Sequence, residues 1–267
     1  MLITACASVP SPVERKAVLE ENAAVAGMTP AIVETKRFDL YSLARTSVPS
    51  DLLVVYIEGD GLVWIRRGER SSDPTPINPV AMHLAAADPA PMVAYLGRPC
   101  QYAGGLNARN CDDALWTSAR YGEDVVQSIN EALDNLKAGT GAKRLGLAGY
   151  SGGGTIAALV AMRRDDVAWL KTIASPLDTD AFATLHKVMP LRESLNPADN
   201  AAALSDLPQI HYMGANDETV PPSVNRTFMA RLNDTRCAAL TVAPHIGHQE
   251  GWREFWASGS LENPSCR

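Results

Sequence analysis

The sequence predicts an α/β fold, one domain with a mainly parallel sheet and helices on both faces. Three observations carry this prediction. Short apolar runs at residues 52–57 and 92–96 are nearly continuous, as strands covered on both faces are. Segments with apolar residues at helical spacing alternate with such runs, the signature of strand–helix–strand crossovers. Finally, the stretch Arg144-Leu145-Gly146-Leu147-Ala148-Gly149-Tyr150-Ser151-Gly152-Gly153-Gly154-Thr155 joins an apolar run to a small-residue helix through one tight turn. At 267 residues the chain can bury one substantial core.

Taken in order, residues 13–27 predict an amphipathic helix ending near Gly27, and residues 31–46 one or two edge strands. The strand 52–57 ends in Glu58-Gly59-Asp60-Gly61. A proline-rich stretch at 73–79 leads into an alanine-rich helix at 79–87, and the strand 92–96 follows. Val125, Val126, Ile129, Leu133 and Leu136 mark a helix over 118–137. A strand at 145–148 and a helix at 154–163 flank Ser151. Three more strands are expected at 169–174, 209–213 and 239–242, with helices at 222–233 and 249–257. The segment 178–207 is longer than a simple connection and reads as a small lid.

Composition narrows the class of partner. Hydrophobic residues make up 46% and charged residues 20%, as in a folded globular protein. The net charge of −6, with no Lys/Arg cluster, argues against nucleic acid. No apolar run approaches the roughly 20 residues that span a bilayer. No His/Cys or carboxylate cluster suggests a metal; in the turn 149–154 Ser151 occupies the place where a nucleotide-binding Gly-x-Gly needs its second glycine, and no Gly-Lys-Ser/Thr occurs, so no cofactor is expected. Nothing in the sequence sets the oligomeric state.

The five cysteines say more. Cys100 and Cys111 flank a polar, glycine-bearing loop, and Cys237 and Cys266 lie in the C-terminal part. Disulfides Cys100–Cys111 and Cys237–Cys266 would suit an extracytoplasmic compartment. Ile3-Thr4-Ala5-Cys6 resembles the lipobox of bacterial lipoproteins, and Ser8-Val9-Pro10-Ser11-Pro12 reads as a tether. The reading is therefore a lipobox-and-tether remnant over 1–12, one domain over 13–267, and contact with a membrane only through a lipid on Cys6. The basic and long apolar regions of a signal peptide do not precede Cys6 here.

Ser151 is the candidate nucleophile. A serine on a sharp strand-to-helix turn is pushed clear of the sheet, and the helix start behind it supplies free N–H groups. Its hydroxyl needs a base, and a histidine needs a carboxylate to hold its tautomer. Asp217 follows the strand 209–213 and His248 follows the strand 239–242, each on the loop where a parallel sheet places its functional groups. His245 and Asp178 are the rival base and acid. His83, His186 and His211 read as structural, and Glu218 and Asp206 as solvated charges.

These residues together resemble the α/β-hydrolase superfamily over residues 52–256. Gly149-Tyr150-Ser151-Gly152-Gly153 is similar to its nucleophile elbow, and Gly214-Ala215-Asn216-Asp217-Glu218-Thr219-Val220-Pro221 to its acid loop. Gly247-His248 with Trp252 downstream is similar to its histidine loop. The resemblance implies an α/β-hydrolase fold and a Ser151–His248–Asp217 triad. It also implies an oxyanion hole made by the Gly152 N–H and a second N–H after the strand 52–57, from Asp60 or alternatively Gly61. Here the chain departs from the superfamily's frequent His-Gly. Trp64, Tyr150 and Trp252 are candidate pocket residues. The expected activity is a serine esterase of carboxylesterase type, cleaving an ester or thioester of a small-molecule or acyl substrate. A serine peptidase or aminoacyl hydrolase of the same fold, or a non-catalytic binding protein on this scaffold, are the alternatives.

Overall fold

In a computed structural model of the protein, residues 9–259 and 262–267 are described, so the Cys6 reading lies outside the described residues. The strands along them are β1 (Thr29–Glu34), β2 (Asp39–Arg45), β3 (Leu52–Ile57), β4 (Trp64–Arg66), β5 (Glu69–Arg70), β6 (Val93–Leu96), β7 (Arg144–Tyr150), β8 (Val167–Ile173), β9 (Gln209–Gly214) and β10 (Ala238–Ala243). Eight of them form one sheet in the order β1-β2-β6-β3-β7-β8-β9-β10. β1 and β2 make an antiparallel hairpin, and β2 is also antiparallel to β6. From β6 to β10 every neighbouring pair is parallel. The short ribbon β4–β5 stands apart, exposed, and has no apolar periodicity that would announce it.

The helices are α1 (Pro12–Val25), α2 (Val80–Ala87), α3 (Glu123–Thr140), α4 (Gly152–Ala161), α5 (Thr179–His186), α6 (Pro222–Met229) and α7 (Trp252–Ala257). Two cores result, one on each sheet face. One joins α1, α2 and α7 to the sheet through Leu19, Leu84, Trp252 and Trp256. The other joins α3, α4 and α6 through Ile129, Leu133, Ile156 and Phe228. The structure has the α/β-hydrolase fold.

Several boundaries move from their expected places for identifiable reasons. The helix expected over 118–137 starts only at Glu123, because Gly122 adopts an extended conformation and the residues before it turn inward. That turn delivers Arg120 and Tyr121 to a pocket. α3 stops at Gly141, whose φ of 74° is the left-handed end that glycine favours. β7 runs on to Tyr150 and α4 begins at once at Gly152, so the turn between them holds Ser151 alone.

Disulfides join Cys100 to Cys111 and Cys237 to Cys266, closing 11- and 29-residue separations. Both pairings are those expected. Among the described residues no helix is long and apolar enough to cross a membrane, and no group of His, Cys, Asp or Glu is arranged to hold a metal.

Candidate active site

The turn at Ser151 exists because glycines allow three backbones to meet there. A Cβ on Gly149 would lie 2.4 Å from the Gly153 carbonyl oxygen, and one on Gly153 would lie 2.2 Å from that of Ile57. No side chain fits at either position. Ser151 itself sits at φ 50°, ψ −126°, a region that costs a non-glycine residue roughly 1–3 kcal/mol. Its N–H donates to Ile173 O at 2.7 Å, which ties the strained residue to β8.

Three side chains converge at the carboxyl edge of the sheet. Ser151 Oγ lies 3.1 Å from His248 Nε2, and His248 Nδ1 lies 2.8 Å from Asp217 Oδ2. A carboxylate only accepts, so Nδ1 carries the hydrogen and Nε2 presents its lone pair to the serine hydroxyl. The Asp217 side chain is fully buried. Its other oxygen accepts the N–H groups of Thr219 (2.9 Å) and Val220 (2.7 Å), so its own turn aims it.

His248 is positioned through its backbone. Its carbonyl accepts the Tyr150 hydroxyl and the Trp252 indole N–H, both at 3.0 Å. The Tyr150 and His248 rings lie 5.5 Å apart. This corrects the expectation for Trp252, which is fully buried and holds the histidine loop instead of lining the pocket. Trp64 is corrected too: it lies on β4, 46% exposed, beside Arg70 and away from the pocket. Tyr150 does line it.

The rival residues are occupied elsewhere. Asp178 caps α5, accepting the N–H groups of Asp180 and Ala181, and pairs with Arg231 at 3.6 Å. His245 is exposed with φ 61°. His211 is buried between Thr172 and Gln209, and burial pushes its pKa down to about 3. His186 meets Thr219 O at the surface, and His83 lies half-buried on α2. Glu218 and Asp206 are exposed.

The loop 58–61 packs over the elbow and is tied down along its length. Glu58 is buried, and its Oε1 accepts the Gly59 N–H at 2.9 Å. Gln101 donates to Gly59 O at 2.9 Å, and at Gly61 (φ 72°) a Cβ would strike Pro74 O at 1.8 Å. The Asp60 carboxylate is gripped by Arg98 on Oδ1, and by Arg120 (2.7 Å) and the Tyr121 hydroxyl (3.3 Å) on Oδ2. The sequence left open which way this carboxylate turns, and two arginines settle it.

The two loop carboxyls titrate in opposite directions. Burial pushes Glu58 up to about 7. Burial alone would raise Asp60 as well, but the Arg120 and Arg98 guanidiniums overcome it and hold the group below the usual range. Sequence reasoning missed Arg98, Arg120, Tyr121 and Gln101. Their one signal was Cys100–Cys111, which pins the turn that carries Arg98 and Gln101.

All of this opens into a pocket of about 420 Å³ containing Ser151, His248, Glu58, Asp60 and Arg120. From the segment 178–207, Thr179, Phe182 and Leu191 contribute to the wall.

No protein-family description and no curated relative matches the chain. Solved structures do. An esterase of Pyrococcus furiosus superposes with a TM-score of 0.60 at 16% identity, covering 88% of this chain and 90% of its own. An alpha-beta serine hydrolase homologue from Coxiella burnetii gives 0.58 at 17%, covering 87% and 97%. The esterase domain of a Rhodothermus marinus protein gives 0.58 at 13%, covering 88% and 95%. At such identities the likeness establishes the fold.

Proposed function

We propose that the protein is a serine hydrolase that cleaves esters through an acyl-Ser151 intermediate. The single observation behind this reading is the unbroken line Asp217–His248–Ser151, with contacts of 2.8 and 3.1 Å, ending on a strained serine that faces a pocket. His248 takes the Ser151 proton as Oγ attacks the acyl carbon, and returns it to the departing alkoxide. Water, deprotonated by the same nitrogen, then releases the acid.

The developing oxyanion is received by two backbone donors. The Gly152 N–H begins α4 and has no partner within its helix. The Asp60 N–H is the second donor, with Gly61 its alternative; the Gly59 N–H is already spent on Glu58. Such donors act where water is largely excluded, and each is worth roughly 10²–10³ in rate. Esters and thioesters ask least of this machinery, so a carboxylesterase-type activity on a small-molecule or acyl ester is the reading adopted. The segment 178–207 serves as a partial lid. The two disulfides support an extracytoplasmic setting, and a lipid on Cys6, read from the sequence Ile3-Thr4-Ala5-Cys6 alone, is the anchor we propose.

Incubation with a fluorophosphonate probe, together with p-nitrophenyl esters of graded chain length and aminoacyl-naphthylamides, tests the reading. Wild type is expected to be labelled and to turn over the esters, whereas Ser151→Ala does neither. Equal turnover by the two proteins would refute the mechanism, and preference for the naphthylamides would move the protein to the peptidases.

A further inference from the structure

At the polar end of the pocket two guanidiniums share one carboxylate. Arg98 and Arg120 both pair with Asp60, one to each oxygen. Their remaining bonds go to neutral carbonyls, Arg98 to Arg120 O and Arg120 Nε to Thr117 O. Among the described residues no second carboxylate bonds either arginine. Asp217 is committed to His248, and Glu58 is turned to the Gly59 and Ala81 N–H groups. The cluster therefore holds one positive charge in excess.

That charge is poorly hydrated, since the Arg98 and Arg120 side chains are 3% and 18% exposed. A charge so placed is costly until an opposite charge meets it. Arg98 lies behind Asp60, with its Nε buried and unpartnered, whereas Arg120 forms part of the pocket wall with Ser151 and His248. A guanidinium has five N–H groups in a planar fork matched to a carboxylate, and the bonds to Thr117 and Asp60 leave some unspent. Ile77, Phe182 and Leu191 give the same pocket apolar surface. Anionic at one end and aliphatic along its length is the complementary shape.

We propose that Arg120 is a specificity-determining residue and that the pocket takes acyl groups ending in a carboxylate, as in half-esters of short dicarboxylic acids. The acyl side is assigned because Arg120 grips Asp60, whose N–H is the proposed oxyanion donor, whereas the leaving group departs on the His248 side. This inference rests on the acyl-transfer reading of Ser151.

The test compares kcat/KM for mono-p-nitrophenyl succinate and glutarate with that for the uncharged p-nitrophenyl butyrate and valerate. Alongside it, glutarate is titrated calorimetrically into wild type, Arg120→Gln and Arg120→Lys. Wild type is expected to prefer the anionic esters about ten-fold or more. Arg120→Gln should lower the anionic-to-neutral ratio roughly ten- to a hundred-fold and weaken glutarate binding in parallel, with Arg120→Lys between. The preference should also shrink as salt is raised.

A wild-type ratio at or below one overturns the proposal while leaving ester hydrolysis standing, and needs no variant to fold. An equal loss on both ester classes in Arg120→Gln also overturns it, because the arginine would then serve only the loop or the oxyanion. If no ester is turned over, the acyl-transfer reading fails. Glutarate binding that depends on Arg120 would still support the anion site, and absence of binding would sink it.

Discussion

Asp217 shows how much one side chain does here. One oxygen is consumed by its own turn through Thr219 and Val220, and the other orients His248. Asp217→Asn keeps the first set of bonds but presents an amide N–H to Nδ1, which favours the wrong imidazole tautomer. Ester turnover is expected to fall by about 10²–10⁴-fold with the circular dichroism spectrum unchanged. Glu58 offers a test by pH. Burial raises its folded-state pKa to about 7, above the ordinary carboxylate value of about 4.5 that it has in the unfolded chain, so the folded protein holds a proton there that the unfolded chain releases. The stability this contributes is complete below about 4.5 and is lost as pH rises through about 7. Glu58→Gln, uncharged at every pH, should therefore gain stability relative to wild type between pH 5 and pH 8, by an amount on the order of 2–3 kcal/mol. Denaturant melts of both proteins at the two pH values measure this, and a constant difference would contradict it.

Among the elements, the strand-to-helix turn was the most legible, because its glycines are a local requirement. The pattern 149–153 can be read directly from the sequence, and the close backbone approaches at Gly149 and Gly153 explain it. The loop 58–61 was half legible: its position after β3 was foreseeable, but its supports were not. Those supports come from 98–101 and 120–121, distant in sequence. The Cys100–Cys111 bridge holds a turn in which Cys100 and Tyr102 have φ of 74° and 58°, and from which Gln101 and Arg98 reach Gly59 and Asp60. Replacing both cysteines by serine is expected to cost about ten-fold in kcat, with a slower fluorophosphonate reaction, through displacement of the Asp60 N–H proposed as an oxyanion donor. Unchanged kcat in the folded double variant would show that the loop does not depend on the bridge.

The second bridge acts on the molecule as a whole. Cys237–Cys266 fastens the C-terminal tail beside β9 and β10, where Gln209 N donates to Cys237 O and Arg267 N to Arg236 O. It lies away from the pocket. Closing a 29-residue separation is worth ~3–4 kcal/mol through the unfolded chain. Its removal by the double serine variant should lower the melting temperature by about 10 °C while leaving turnover as it was. A change in turnover comparable to that of the first bridge would contradict this division of labour.

The sequence by itself determined the fold class, the strand-to-helix turn at Ser151, both cysteine pairings and the order in which Ser151, Asp217 and His248 follow their strands. Each of these is written in local periodicity, in small residues where backbones must meet, or in spacing along the chain. Only the tertiary structure decided which way Asp60 faces, that Trp252 supports His248 from the core, and that Arg98 and Arg120 stand at the pocket. Those outcomes depend on residues far apart in sequence meeting under burial, where the cost of an unpaired charge or an unmet hydrogen bond selects the partner.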